Sequence, residues 1–221
     1  MYTVKEIFST LQGEGRHAGR VAVFCRFSGC NLWSGREEDR ATAACQFCDT
    51  DFVGSNGTGG GKFSTAHELA QAIQDQWVAM NLSNSYRYVV FTGGEPLLQL
   101  DSDLIDALKS RHFEIAIETN GTIRVPAGID WICVSPKNGS ELIQLTGDEI
   151  KYIVPQQHQI PVKSELLRHL KRFEQLNFKN FYLQAMDSPN HIKHLALAIE
   201  LCKERPLWRL SIQQHKVLHL P

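Results

Sequence analysis

The sequence predicts an α/β fold: a mostly parallel sheet forming an incomplete or splayed barrel with fewer helices than strands. Three observations predict it. Short apolar runs alternate with helical periodicity, the order of βα units, which implies parallel pairing. The run Val21–Phe27 is apolar except at Arg26, as in a strand covered on both faces. Two connections, Asn120–Ile129 (with Pro126 and Gly128) and Lys137–Asp148, are too short for a full crossover helix. A doubly wound open sheet is the competing topology.

After Val21–Phe27, strand-like runs follow at Arg87–Thr92, Glu114–Glu118, Asp130–Ser135, Ile150–Val154, Asn180–Gln184 and Trp208–Ile212. Thr65-Ala-His-Glu68 reads as a capping box opening a helix to about Val78. Further helical stripes are Leu104, Ile105 and Leu108; Leu166, Leu167, Leu170 and Phe173; and Ile192, Leu195, Ala196, Ile199 and Cys202. Lys163, Arg168, Lys171 and Arg172 form the wet face of the third helix. No internal repeat or interdomain linker is visible, so residues 1–221 are expected to form one domain. Gly54–Gly61 is the one low-complexity stretch and reads as a mobile surface loop. A phosphate-loop reading of its end fails, because Asn56 and Phe63 replace the glycine and the hydroxyl residue that such a loop requires.

Composition excludes several classes. The 221 residues are 43% apolar with a net charge of −1, so no polyanion-binding surface dominates, and neither nucleic acid nor membrane is an expected partner. No apolar run approaches the roughly 20 residues of a membrane helix. The start of the chain lacks a charged-then-apolar leader, and a cytoplasmic protein is expected. Six cysteines are too few for a disulfide scaffold at this length. Cys25, Cys133 and Cys202 lie in apolar runs and read as core. His191 and His194 read as a solvated helix start. Lys151 falls inside a strand pattern that does not fix its face.

In parallel α/β folds ligands bind at the carboxyl ends of the strands. Arg26, Thr92, Glu118, Ser135 and Gln184 are polar residues at such ends, and together they predict a polar pocket. The sharpest signal is Cys30-x14-Cys45-x2-Cys48, directly after the first predicted strand. Three thiols without a fourth Cys or His nearby suit a four-iron cluster with one iron left open, whereas structural zinc normally takes four protein ligands. Both metals stay open at this point. The second signal is Thr92-Gly-Gly-Glu-Pro96, whose glycines allow close backbone approach and whose Glu95 suits a cationic amino group.

These motifs resemble the radical S-adenosylmethionine superfamily and, within it, the 7-carboxy-7-deazaguanine synthase family. The resemblance runs over nearly the whole chain: Leu11-Gln-Gly-Glu-Gly15, Arg26, the Cys trio with Asp49-Thr50, Thr92–Pro96, Glu118-Thr-Asn-Gly-Thr122, Ser135-Pro-Lys137, Tyr182-Leu-Gln184, Arg209–Gln213 and His215-Lys216. Two departures stand out. The superfamily's first cysteine gap is three residues and here is fourteen, an expansion known in the synthase family. Ala185 stands where Pro often follows Gln184.

The resemblance implies a modified (β/α)6-type partial barrel, and Cys30, Cys45 and Cys48 as ligands of a [4Fe–4S] cluster. It implies S-adenosylmethionine contacts at Phe47, Cys48, Asp49, Gly94, Glu95, Ser135, Pro136 and Lys137, and at Gln184, Ala185, Met186 and Asp187. The cofactor supplies the hard chemistry, a 5′-deoxyadenosyl radical, while the protein positions and excludes. The implied substrate is 6-carboxy-5,6,7,8-tetrahydropterin, contacted by Leu11, Gln12, Gly13, Glu14, Arg26, Thr92, Glu118, His215 and the terminal carboxylate of Pro221. Arg26 offers a planar fork to a carboxylate. Thr50 would help to hold Mg²⁺, which favours oxygen ligands and keeps several waters. A homodimer and a flavodoxin-like electron donor are also implied. The rival readings are an activase-type radical enzyme, which would need a broad protein-docking surface, and a zinc-binding module with no catalysis, which would purify colourless.

Overall fold

The structure, a computed structural model, describes residues 1–80, 85–157 and 160–221. Its strands are β1 (Tyr2–Leu11), β2 (Val21–Phe27), β3 (Gly61–Phe63), β4 (Tyr88–Gly93), β5 (Glu114–Thr119), β6 (Trp131–Val134), β7 (Thr146–Val154), β8 (Asn177–Ala185) and β9 (Trp208–Ser211). The helices are α1 (Ala66–Ala79), α2 (Ser102–Lys109), α3 (Lys163–Phe173), α4 (His191–Glu204) and α5 (Gln214–Leu218). The strands form one nine-stranded sheet in the order β3-β1-β2-β4-β5-β6-β7-β8-β9. From β2 to β9 every pairing is parallel, while β1 runs antiparallel to both β2 and β3.

The parallel strands follow chain order without reversal, which removes the doubly wound alternative, since that topology needs a switch in strand order. Since crossovers between parallel strands share one hand, a sheet that advances in one direction collects its crossover helices on one face. As the short connections predicted, no α-helix joins β5 to β6 or β6 to β7. Two apolar clusters fill the helical side. One joins β1–β5 with α1 and α2 around Ile73, Leu104 and Phe91, and the other joins β6–β9 with α3 and α4 around Tyr152, Leu170 and Leu201. Cys25 and Cys133 are fully buried and Cys202 packs against the second cluster, as read from sequence. Among the described residues β3 and β9 remain edges, so the sheet is not closed.

The Thr65 hydroxyl accepts from Glu68 N at 3.2 Å, opening α1 as its sequence requires; Glu68 in turn accepts from Ser64 N. Helix α4 departs from its predicted face. Ile192 and Ile199 are exposed, and the buried stripe is His194, Ala198 and Leu201. His194 is therefore core, its Nδ1 3.3 Å from the Met186 carbonyl, and not a solvated helix start. Nor does the glycine stretch 54–61 run free over the surface. It lies along β1, with Ile7 N donating to Thr58 O and Gly57 N to Lys5 O. A Cβ on Gly57 would come within 2.7 Å of the Lys5 carbonyl, so close backbone approach is what its glycines serve.

The sheet face opposite the helices carries alternate residues of each strand: Phe8, Phe24, Arg26, Glu118, Lys151 and Gln184. At the far ends of the order, Gln214 N donates to Gly13 O (2.9 Å), Gly15 N to the Ser211 hydroxyl (3.1 Å) and the Thr10 hydroxyl to Pro221 O (3.3 Å). The last segment of the chain is thus fastened to the segment that follows β1.

Candidate active site

A cavity of about 410 Å³ opens on this inner face, at the carboxyl ends of the parallel strands. Its walls include every site residue read from the sequence except two. Leu11, Gln12, Gly13 and Glu14 come from the end of β1. Arg26 and Cys30 follow β2, with Cys45, Phe47, Cys48, Asp49 and Thr50 from the loop beyond. Thr92, Gly94, Glu118, Ser135 and Lys137 come from the ends of β4, β5 and β6. Gln184, Ala185, Met186, Asp187, His215 and Pro221 complete the wall.

The exceptions are Glu95 and Pro136, which the structure does not bring to this cavity. Glu95 is fully buried, and its carboxylate accepts from Thr119 Oγ1 (2.8 Å), Asn120 N (2.8 Å) and Leu97 N (3.0 Å). Burial raises its pKa. Its geometry fastens the β5 end to the Gly-Gly turn; that turn packs so closely that a Cβ on Gly94 would lie 2.6 Å from the Cys30 Cβ. Pro136 faces a separate small cavity beside His169 and Phe173.

At the cavity's centre is a buried charge network that sequence reasoning resolved only in part. Lys151 Nζ lies 2.6 Å from Glu14 Oε2 and 2.8 Å from Glu118 Oε2. Glu14 Oε1 accepts from Gln184 Nε2 at 3.0 Å, and Glu118 Oε1 from Gln12 Nε2 at 3.4 Å. Burial alone would raise the Glu14 pKa, but the adjoining ammonium holds it down at about 2. Lys151 stays protonated: burial opposes its charge, and the two carboxylates overcome it. Glu149, two residues back on β7, is pushed up to about 7 by burial; it accepts from Arg16 N.

One wall is aromatic and basic. Phe8 and Phe24 stack at 5.5 Å across the β1–β2 pair, and the Arg26 guanidinium lies 5.9 Å from the Phe8 ring while its Nε donates to Glu6 at 2.7 Å. Lys5, Glu6, Phe8, Thr10, Phe24 and Lys151 line the cavity without having been singled out for it. Lys216 bridges Asp49 and Asp187, both at 2.5 Å, and so ties α5 to the loop after Cys48 and to the end of β8.

Cys30, Cys45 and Cys48 are free thiols on this one wall. The Cys45 thiol faces Cys48, which that contact holds below the usual thiol range; Cys45 itself is raised. Cys30 is close enough to feel Cys48, and burial raises it. Among the described residues no three His, Cys, Asp or Glu side chains converge on a point that would hold a single ion. The Thr50 side chain lines the same cavity.

An open, largely parallel sheet with a polar pocket at its strand ends, walled by three thiols and a buried carboxylate–ammonium network, defines an α/β protein with a small-molecule site. No family model matches the chain. Its relatives are specific, however. It is 58% identical over 217 residues to the 7-carboxy-7-deazaguanine synthase of Bradyrhizobium diazoefficiens, covering 98% of each chain. It is 56% identical to that of Caulobacter vibrioides over 100% of this chain and 99% of the relative. The crystal structure of QueE from Escherichia coli superposes with a TM-score of 0.67 at 26% identity, covering 97% of this chain and 94% of the other. The chain belongs to the 7-carboxy-7-deazaguanine synthase family.

Proposed function

We propose that this chain is a 7-carboxy-7-deazaguanine synthase of the radical S-adenosylmethionine type. It converts 6-carboxy-5,6,7,8-tetrahydropterin to the deazapurine acid by ring contraction with loss of ammonia. The observation that carries this reading is the shared cavity: three free thiols and the Glu14–Lys151–Glu118 network line one pocket at the strand ends.

The thiols fit the implied cluster by donor chemistry, since soft sulfur ligands suit iron–sulfur centres. A single zinc ion would require its ligands within about 2.3 Å of one point. A polynuclear cluster, whose sulfur ligands bind separate irons, makes no such demand. Cys30, Cys45 and Cys48 hold the [4Fe–4S] cluster. With S-adenosylmethionine bound, that group would supply the one-electron chemistry that removes hydrogen from the carbon bearing the substrate's carboxylate.

The chain's own residues do the rest. Gly94, Ser135 and Lys137 give the cofactor a close surface, with Gln184–Asp187 and Phe47–Asp49 along its sides. Glu14, kept ionised by Lys151, and Glu118 accept from the N–H edge of the pterin, and Gln184 and Gln12 fix the two carboxylates in place. Arg26, between Glu6 and the Phe8 ring, turns its remaining guanidinium nitrogens to the substrate carboxylate. Thr92, His215, Leu11, Gly13 and Pro221 complete the substrate wall. Thr50 offers its hydroxyl to Mg²⁺ beside the substrate. Strap α5, held by Lys216, keeps water from the reacting centre.

The fold is a one-domain partial barrel, a reading supported by the bonds that join the segments after β1 and β9. A homodimer in the cytoplasm, reduced by a flavodoxin-like donor, completes the proposal. Anaerobic incubation of the reduced protein with S-adenosylmethionine and carboxytetrahydropterin is expected to yield 7-carboxy-7-deazaguanine by mass spectrometry. Unchanged pterin in the presence of an intact, reducible cluster would reject the assignment.

A further inference from the structure

The fourteen residues between Cys30 and Cys45 have a fold of their own, built around one side chain. Ala44 N and Cys45 N both donate to Leu32 O, which closes the ends of the segment. Trp33 is buried, edge-on to Phe52 at 5.6 Å, and its indole N–H donates to Arg36 O at 3.1 Å. The Arg40 guanidinium lies over the Trp33 ring, 4.0 Å from its centroid.

From there Arg40 turns its Nη1 edge, the one away from its ion pair with Glu37, toward the cysteine turn and donates to Gln46 O at 3.0 Å and to Cys48 O at 3.1 Å. Its Nε and Nη2 grip the Glu37 carboxylate at 2.7 and 2.5 Å. One planar group therefore makes four hydrogen bonds, two of them to carbonyls of the turn that carries Cys45 and Cys48. A lysine ammonium lacks the flat fork needed to hold Glu37 on one edge and two carbonyls on the other while stacking on an indole.

Resting on the cluster reading given above, we infer that Arg40 is a positioning residue for the iron–sulfur centre: it clamps the Cys45–Cys48 turn in its ligand-presenting form and sets a permanent positive charge against the cluster. The expanded cysteine gap thereby acquires a task, since it delivers this guanidinium from outside the turn. Groups that orient metal ligands from behind affect metal retention by roughly ten- to a hundredfold when removed. Nearby charge also tunes cluster potential, because reduction adds negative charge that a cation stabilises.

The test compares anaerobically purified wild type, Arg40→Lys and Arg40→Gln, each with its cluster. Iron and sulfide content is measured first, then iron release to a ferrous chelator, then midpoint potential by electron paramagnetic resonance titration. Arg40→Gln is expected to release iron about ten- to a hundredfold faster and to have a more negative potential. Arg40→Lys is expected to release iron almost as fast, yet to keep a potential near wild type, a separation that a merely structural role would not produce. Wild-type potential in Arg40→Gln, or wild-type retention in both variants, overturns the inference. A wild-type protein that holds no iron and sulfide instead overturns the cluster reading, and this inference with it.

Discussion

The Lys151 ammonium is buried, at 5% exposure, with Glu14 and Glu118 on either side. A buried ion pair adds little net stability, but removing one partner leaves the other as an uncompensated charge. Lys151→Met strands two carboxylates together, and we predict a loss of roughly 3–5 kcal/mol, read as a lowered denaturation midpoint. A variant of wild-type stability would mean that the three groups are not paired in solution. Thr50 is a contrasting case, a half-buried residue on the cavity wall. Thr50→Ala is expected to weaken Mg²⁺ stimulation of turnover while iron content stays unchanged; unaltered Mg²⁺ dependence would remove Thr50 from that role. At this scale the polar strand ends were legible because a charge closing an apolar strand face needs a partner or ligand. What the sequence does not display is the set of partners Glu95 has inside the core, which are backbone and hydroxyl donors.

Individual elements differ in how plainly their sequences declare them. The interior strands β2, β4, β5 and β8 each carry an apolar run, broken at Arg26 in β2 and by Lys179 and Asn180 in β8, and each was readable within a few residues. Strand β1 was not. A register irregularity between Val4 and Glu6 puts Val4 and Ile7, three residues apart, into the same core, so neither alternation nor helical spacing appears. Helix α4 hides its face because a histidine with a carbonyl partner takes the first position of its buried stripe. The Gly-Gly turn after β4 supplies the prediction at this scale. Gly94→Ala sets a Cβ 2.6 Å from that of Cys30 and closer still to the Gly29 carbonyl, so the turn must move and carry the first thiol with it. Cluster content is expected to drop severalfold, whereas Thr65→Ala, which removes only the α1 cap at about 1 kcal/mol, leaves it whole. Equal cluster content in the two variants would separate the turn from the thiol wall.

Across the whole molecule, the missing helices were foreseeable from connection lengths, since a segment of ten residues with Pro126 and Gly128 cannot form a crossover helix. The strand order, by contrast, is open in the sequence between a splayed barrel and a doubly wound sheet. What no local pattern announced is the joining of the two ends, where α5 and Pro221 lie against the segment after β1. Stability as a function of pH also belongs to this scale. Glu149 keeps its proton up to about 7 in the folded state against 4.5 when exposed, so its contribution is full below about pH 4.5 and is lost as pH rises through 7. Glu14 works the other way: depressed to about 2, it contributes above 4.5 and loses that contribution as pH falls toward 2. Denaturation midpoints are therefore expected to decline from pH 5 to pH 8 in the wild type and to flatten in Glu149→Gln. A decline of equal slope in that variant would assign the effect elsewhere.

The thiol wall is where the whole account is most exposed. Iron and labile sulfide should be quantified in anaerobically reconstituted protein, and the reduced centre recorded by electron paramagnetic resonance before and after addition of S-adenosylmethionine. We predict four irons and four sulfides per chain, a spectrum that changes on adding S-adenosylmethionine, and loss of both in Cys30→Ala, Cys45→Ala and Cys48→Ala. A colourless protein carrying zinc, or a cluster whose spectrum is indifferent to S-adenosylmethionine, would contradict it.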